Sequence, residues 1–183
     1  MRASTLDEIQ IALTRLKTAL DRYIWLQHRV RLCDVSTNEE FQRCFGGFYR
    51  VRRDSHWRSL YFGLLESSKV NGIDFPEALK EISSRTGRLE ASFASKLVAT
   101  LDSSKPVIDK FVLKHFELRL PRWGLSDREV KTIDLYDDLC DKYIAFIQSS
   151  TGKMIRELFD SRYPRSEVSE LKKIDLVLWQ IRS

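Results

Sequence analysis

Asp109, Ser92 and Lys96 are residue types that can act on a bond. A carboxylate at a helix start is kept ionised by the helix dipole. There it can stabilise a developing positive charge and accept a proton from attacking water. A lysine amine can instead form a covalent Schiff base. Ser92 and Lys96 lie one helical turn apart and share a face. Asp109 follows Pro106-Val107-Ile108, and a proline pre-sets the start of a helix. The plain alternative for Asp109 is a carboxylate that decorates a helix start, where Asp is common.

The elements that must hold these residues are helices. Thr5 with Glu8 forms a capping box, and Leu6, Ile9, Leu13, Leu16, Leu20 and Ile24 continue at helical period to about Arg31. Thr37 with Glu40 predicts a second cap, and Gly46-Gly47 a stop. Phe48 to Arg53 reads as an extended connector. Asp54 caps a helix that buries Trp57, Leu60, Tyr61, Leu64 and Leu65, and Asn71-Gly72 is a turn. Asp74 and Glu77, with Pro76 in the first turn, open a helix that Gly87 closes. Helices are then expected over 91–102, burying Phe93, Leu97, Val98 and Leu101, and over 107–116, with Asp109 in its first turn. Pro121 to Gly124 is a break.

Ser126 with Glu129 opens a long helix that uses Val130, Ile133, Tyr136, Leu139, Tyr143, Ile144 and Ile147. Gly152 and Pro164 punctuate the chain before a final helix from Ser166 to Arg182, with Glu and Lys expected on its outside. No strand pair is evident, so the fold class is all-α, one compact multi-helix domain over 1–183.

Composition narrows the function. Hydrophobic residues make up 43% of the chain and charged residues 31%, which suits a compact helical core and excludes a disordered one. The net charge of +5 permits an anionic partner. Arg43, Arg50, Arg52, Arg53 and Arg58 face only Asp54 within 42–58. Lys105, Lys110, Lys114, Arg119 and Arg122 face Asp109 and Glu117 within 105–123. Two basic segments of this kind suit a surface that tracks phosphates. A solvated surface that happens to be basic is the other reading.

Cys33, Cys44 and Cys140 are odd in number and far apart, which argues against a disulfide framework or a metal cluster and for buried thiols in a reducing compartment. His28, His56 and His115 lack metal spacing. Asp134, Asp137, Asp138 and Asp141 share a helical face, which is read as solvated rather than as a divalent-metal site. No charged-then-apolar leader opens the chain and no long apolar run occurs, so a cytoplasmic protein with no membrane contact is expected.

The stretch 74–120 resembles the core of the helix-hairpin-helix DNA glycosylase superfamily, of the endonuclease III type. Leu79, Ile82, Gly87 and Ala94 fit the first half of its pattern. In Ile108-Asp109-Lys110-Phe111-Val112 an apolar residue precedes the aspartate, phenylalanine stands where histidine is usual, and Val112 matches. The resemblance implies an all-α fold with a helix-hairpin-helix core, base excision from nucleic acid, DNA first among partners, and no cofactor. It implies that Asp109 carries the chemistry. Ser92 falls at the position of the nucleophilic lysine, which implies a monofunctional or catalytically degenerate glycosylase, and Lys96 lies one turn beyond.

Of the hairpin glycines only Gly87 remains, and Arg88-Leu89-Glu90 replaces the tight turn that lets backbone approach a phosphate. Gly87 and Arg88, with Arg50, Arg52, Arg53, Lys105 and Lys110, are then the expected nucleic-acid contacts. Tyr49 and Trp123, in breaks of the helical pattern, are the candidates to wedge or stack an extruded base. The competing class is a non-enzymatic helical module whose long first and last helices mediate interaction or oligomerisation. Whether Asp109, Ser92 and Lys96 converge in a basic cleft separates the two.

Overall fold

The computed structural model describes residues 5–181. Among the described residues every regular element is a helix: α1 (Leu6–Arg15), α2 (Lys17–Leu32), α3 (Glu39–Tyr49), α4 (Ser55–Asn71), α5 (Phe75–Thr86), α6 (Ala91–Leu101), α7 (Lys110–His115), α8 (Arg128–Gln148), α9 (Ser150–Arg162) and α10 (Glu170–Gln180). The protein is all-α. Local chemistry sets many of the boundaries. The Thr5 hydroxyl accepts from the Glu8 amide, and the Glu8 carboxylate accepts from the Thr5 amide, which closes the capping box of α1. Asp54 and Asp74 accept from the amides of Trp57 and Glu77. Gly87 ends α5 at φ 68°, the left-handed region that glycine enters without steric cost.

Other boundaries depart from the sequence pattern. The first long helix is interrupted at Leu16, whose amide bonds Leu13 O at 3.3 Å in a tighter turn. The cap of α3 is Asn38 instead of Thr37, with its side chain accepting from the Phe41 amide at 2.8 Å. Gly46-Gly47 does not stop α3. The helix continues to Tyr49 because Phe41, Phe45 and Phe48 bury a single stripe. That burial outweighs a glycine penalty of about 1 kcal/mol each. The stop comes at Arg50, left-handed at φ 55°.

Residues 107–109 are not helical, so α7 is short and Asp109 is its cap. α8 starts at Arg128 and not at Ser126. It buries Thr132, Tyr136, Leu139, Tyr143 and Phe146, leaving Val130 and Ile144 exposed. On α6, Phe93 and Leu101 are half-buried. The final helix begins at Glu170, and Arg182 lies outside the described residues.

The chain divides into two compact units. The first runs from Asp21 to Asp102. Its core is aromatic: Phe62 meets Phe41 and Phe45 edge-on at 6.2 and 5.4 Å, and Trp57 stacks on Tyr61 at 4.8 Å. Trp57 and Tyr61 are thus the core residues their spacing predicts. α5 packs on α4 and on α6.

The second unit holds the chain up to Leu20 and from Ser103 onward, with α10 packed by α1, α7, α8 and α9. Leu171 to Leu178 are buried without interruption. This reverses the expectation that the lysines of the last helix lie outside. Lys172 (3% exposed) and Asp175 (6% exposed) pair at 2.6 Å inside, and Tyr143 donates to the other Asp175 oxygen at 2.9 Å. Lys173 turns to Glu170 and Asp160. Buried charge is tolerated only when it is paired, and each of these lysines has a carboxylate partner.

α9 has no counterpart in the sequence pattern. Ser149 ends α8 and caps α9 with no residue between, its hydroxyl accepting from the Gly152 amide at 3.0 Å. A Cβ on Gly152 would overlap the Phe146 carbonyl, so the corner requires glycine inside a helix.

Candidate nucleic-acid interface

In the unit Asp21–Asp102, two contacts tie together segments that are remote in sequence. Arg53 Nη2 donates to Glu90 Oε1 at 2.6 Å. Lys96 Nζ donates to the Tyr49 carbonyl at 3.3 Å. The connector 50–54 after α3 is thereby held against the connector 87–90 between α5 and α6. Arg50 and Arg52 on the first connector and Gly87 and Arg88 on the second are all exposed. Four of the expected phosphate contacts therefore lie around one seam.

The seam has an underlayer of paired charge. The guanidinium of Arg53 lies 5.8 Å from the Trp57 ring and 5.2 Å from the Phe93 ring, geometry that favours a cation over aromatic faces. Its carboxylate partner, Glu90, is buried at the cap position of α6, with no side-chain hydrogen bond to that helix. The ammonium of Lys96 lies 4.8 Å from Phe93 and 5.8 Å from Tyr49. Both cations thus hold the seam together, and Arg50, Arg52 and Arg88 are its outward-facing charges. Ser92 is half-buried in the first turn of α6. Tyr49, expected in a break and exposed, is the last residue of α3. It is half-buried, with its ring 4.7 Å from those of both Phe45 and Phe48.

The other nominated residues belong to the second unit. Asp109 is half-buried, and its side chain accepts from the Phe111 amide at 2.8 Å, the capping bond of α7. The segment before it is clamped by two hydroxyls: Tyr136 donates to Pro106 O at 3.2 Å and Ser169 to Ser103 O at 2.6 Å. Burial pushes the Tyr143 phenol well above its ordinary range, and the negative charges of Asp175 and Asp109 push it the same way. Lys105 and Lys110 are exposed, Lys110 lying over the adjacent Phe111 ring at 4.8 Å. Trp123 is 88% exposed.

Asp109 and the pair Ser92 and Lys96 fall in different units, and the stretch 74–120 is divided between them at Ser103. Sequence reading missed Glu90, whose pairing with Arg53 spans 37 positions. It also missed the Lys172–Asp175–Tyr143 network. The spacing of Lys172 and Asp175, three apart on one helix, is equally that of a solvent-exposed pair, so it does not mark the network as buried.

Among the described residues no group of three or more His, Cys, Asp or Glu could hold a metal ion. Asp134, Asp137, Asp138 and Asp141 are exposed, and Asp138 pairs with Lys142. The three thiols are free and half-buried, and burial raises that of Cys140 to about 11, which makes it a poor nucleophile. No described helix is long and apolar enough to cross a membrane. Comparisons with protein-family models, with curated proteins and with solved structures find no match for this chain.

Proposed function

We propose that this protein binds nucleic acid, DNA in the first place, through the seam between the 50–54 and 87–90 connectors. In this reading it is a diverged relative of the helix-hairpin-helix glycosylases. The carrying observation is that Arg50 and Arg52 on one connector and Arg88 on the other are exposed where Arg53–Glu90 ties the two connectors together and Lys96 bonds the Tyr49 carbonyl. The α5–Gly87–α6 arrangement supports it: two packed helices are joined by a short connector that starts from a left-handed glycine. In this reading the exposed Gly87 backbone and Arg88 are the phosphate contacts of that connector.

Asp109 is the residue such a protein would use to remove a base. A half-buried carboxylate fixed at a helix start stabilises a sugar cation and accepts a proton from water. Ser92 in place of a lysine gives a monofunctional reaction without strand cleavage. Lys96 acts in the seam as a positioning cation.

The test is a salt titration of duplex binding for the parent and for Arg50→Gln/Arg52→Gln/Arg88→Gln. Three lost phosphate contacts flatten the slope of log K against log salt by about 2.7, at roughly 0.9 per contact. An unchanged slope refutes the interface. A base-release assay of Asp109→Asn tests the chemistry: the expected result is loss of release with retained binding, and full activity removes Asp109 from the mechanism.

A further inference from the structure

The loop from Leu118 to Leu125 presents one large ring to solvent. Trp123 is 88% exposed, and its apolar neighbours Leu120 and Leu125 are exposed less, at 43% and 41%. The ring sits between Pro121, which restricts the backbone, and Gly124, which takes the left-handed corner of the turn at φ 86°. Arg119 and Arg122 are exposed beside it, and no acidic residue lies between 118 and 126. The nearest carboxylates on either side of the loop are Glu117 and Asp127, and Asp127 is paired with Lys131 at 2.8 Å.

We propose that this loop is a stacking platform for an unpaired base, with Arg119 and Arg122 holding the flanking phosphates. The inference rests on the nucleic-acid reading above and adds its substrate class: a strand with at least one base out of the duplex. A solitary exposed indole beside guanidiniums suits one planar π-face next to anionic groups, which every nucleotide offers. Leu120 and Leu125 are also exposed, so a lipid surface is the competing occupant that the vesicle measurement separates.

The probe is a fluorescein-labelled oligothymidine strand, compared with the same strand annealed to its complement, both titrated into the full chain. Trp123→Ala is expected to weaken single-strand binding about tenfold, within the range for loss of one stacked base. Duplex binding should remain within about twofold, with an unchanged thermal melt, as befits a surface substitution. Quenching of intrinsic fluorescence by the strand should disappear in the same variant. Arg119→Gln/Arg122→Gln should flatten the single-strand salt slope by about 1.4, at roughly 0.7 per contact.

If Trp123→Ala binds both probes like the parent while Arg50→Gln/Arg52→Gln/Arg88→Gln loses both, the loop inference fails and the seam stands. If neither variant alters oligonucleotide binding, both fail. Trp123-dependent binding to phosphatidylglycerol vesicles that the strand does not displace would also overturn the inference, in favour of lipid.

Discussion

Removing the Asp175 carboxylate tests whether the last helix is held by buried charge. In Asp175→Ala, Lys172 loses the carboxylate that lies 2.6 Å away and Tyr143 loses its acceptor at 2.9 Å. Lys172 is 3% exposed and Tyr143 fully buried, so water can replace neither partner without opening the packing. Breaking a buried ion pair from one side costs about 3–5 kcal/mol, because the remaining charge is uncompensated. An orphaned hydroxyl adds about 1 kcal/mol. Against a total stability of about 5–15 kcal/mol, this is a large fraction.

For a chain of this length the melting temperature should fall by roughly 10 °C, at about 2–4 °C per kcal/mol. Circular dichroism at the helical band reads it directly. Asp175→Asn, which keeps an acceptor for Tyr143, should fall between the parent and the alanine variant. Lys172→Met/Asp175→Leu, which removes both charges and fills the space, should recover most of the loss. A melt for Asp175→Ala within about 1 °C of the parent would refute the buried network as described.

Three further outcomes follow from other residues. Gly152→Ala should destabilise by about 3 kcal/mol or more, because its Cβ would meet the Phe146 carbonyl and the α8–α9 corner would have to open; denaturant unfolding measures it, and a loss under about 1 kcal/mol would contradict the corner. Gly87→Ala should cost only about 1 kcal/mol, since nothing crowds the position and the penalty is the left-handed backbone at φ 68° alone. Hydrogen bonds from Arg156 and then Lys173 hold the Glu170 carboxyl below its ordinary 4.5. Its contribution is therefore present above about pH 4.5 and is lost as pH falls through the lowered value. Glu170→Gln should melt below the parent at neutral pH and converge with it in acid, and equal melts across that range would reject the pairing.

The parts of the fold legible in the sequence are those fixed within one helical turn. Thr5 with Glu8, Asp54, Asp74 and Gly87 satisfy or release backbone groups three or four residues away, so residue type alone reports them. Gly46-Gly47 and Gly152 were misread for a common reason. Glycine marks a stop only when no tertiary contact needs it, and here one pair lies on a helix buried by phenylalanines and the other site accommodates a carbonyl of the preceding helix. Lys172 and Lys173 read as solvent-facing because a lysine looks alike in sequence whether or not a carboxylate awaits it.

The same blindness to pairing governs the candidate interface. Of the five arginines between 42 and 58, Arg50, Arg52 and Arg53 are the expected phosphate contacts, and Arg43, Arg53 and Arg58 are engaged within the protein. Arg53 is paired with Glu90, Arg43 with Glu39, and Arg58 donates to the Gln42 carbonyl at 3.1 Å. The Arg43 pair is exposed and weak. The Arg53 pair is not, because Glu90 is buried and would be left as an uncompensated charge if the arginine turned outward. A phosphate can reach the exposed Arg50 and Arg52, but it cannot recruit Arg53 without leaving Glu90 uncompensated. The salt slope of this seam should report the two connector arginines and Arg88, and Arg53→Gln should act on stability before it acts on binding. A parent-like melt for Arg53→Gln with a flattened salt slope would invert that order and return Arg53 to the surface.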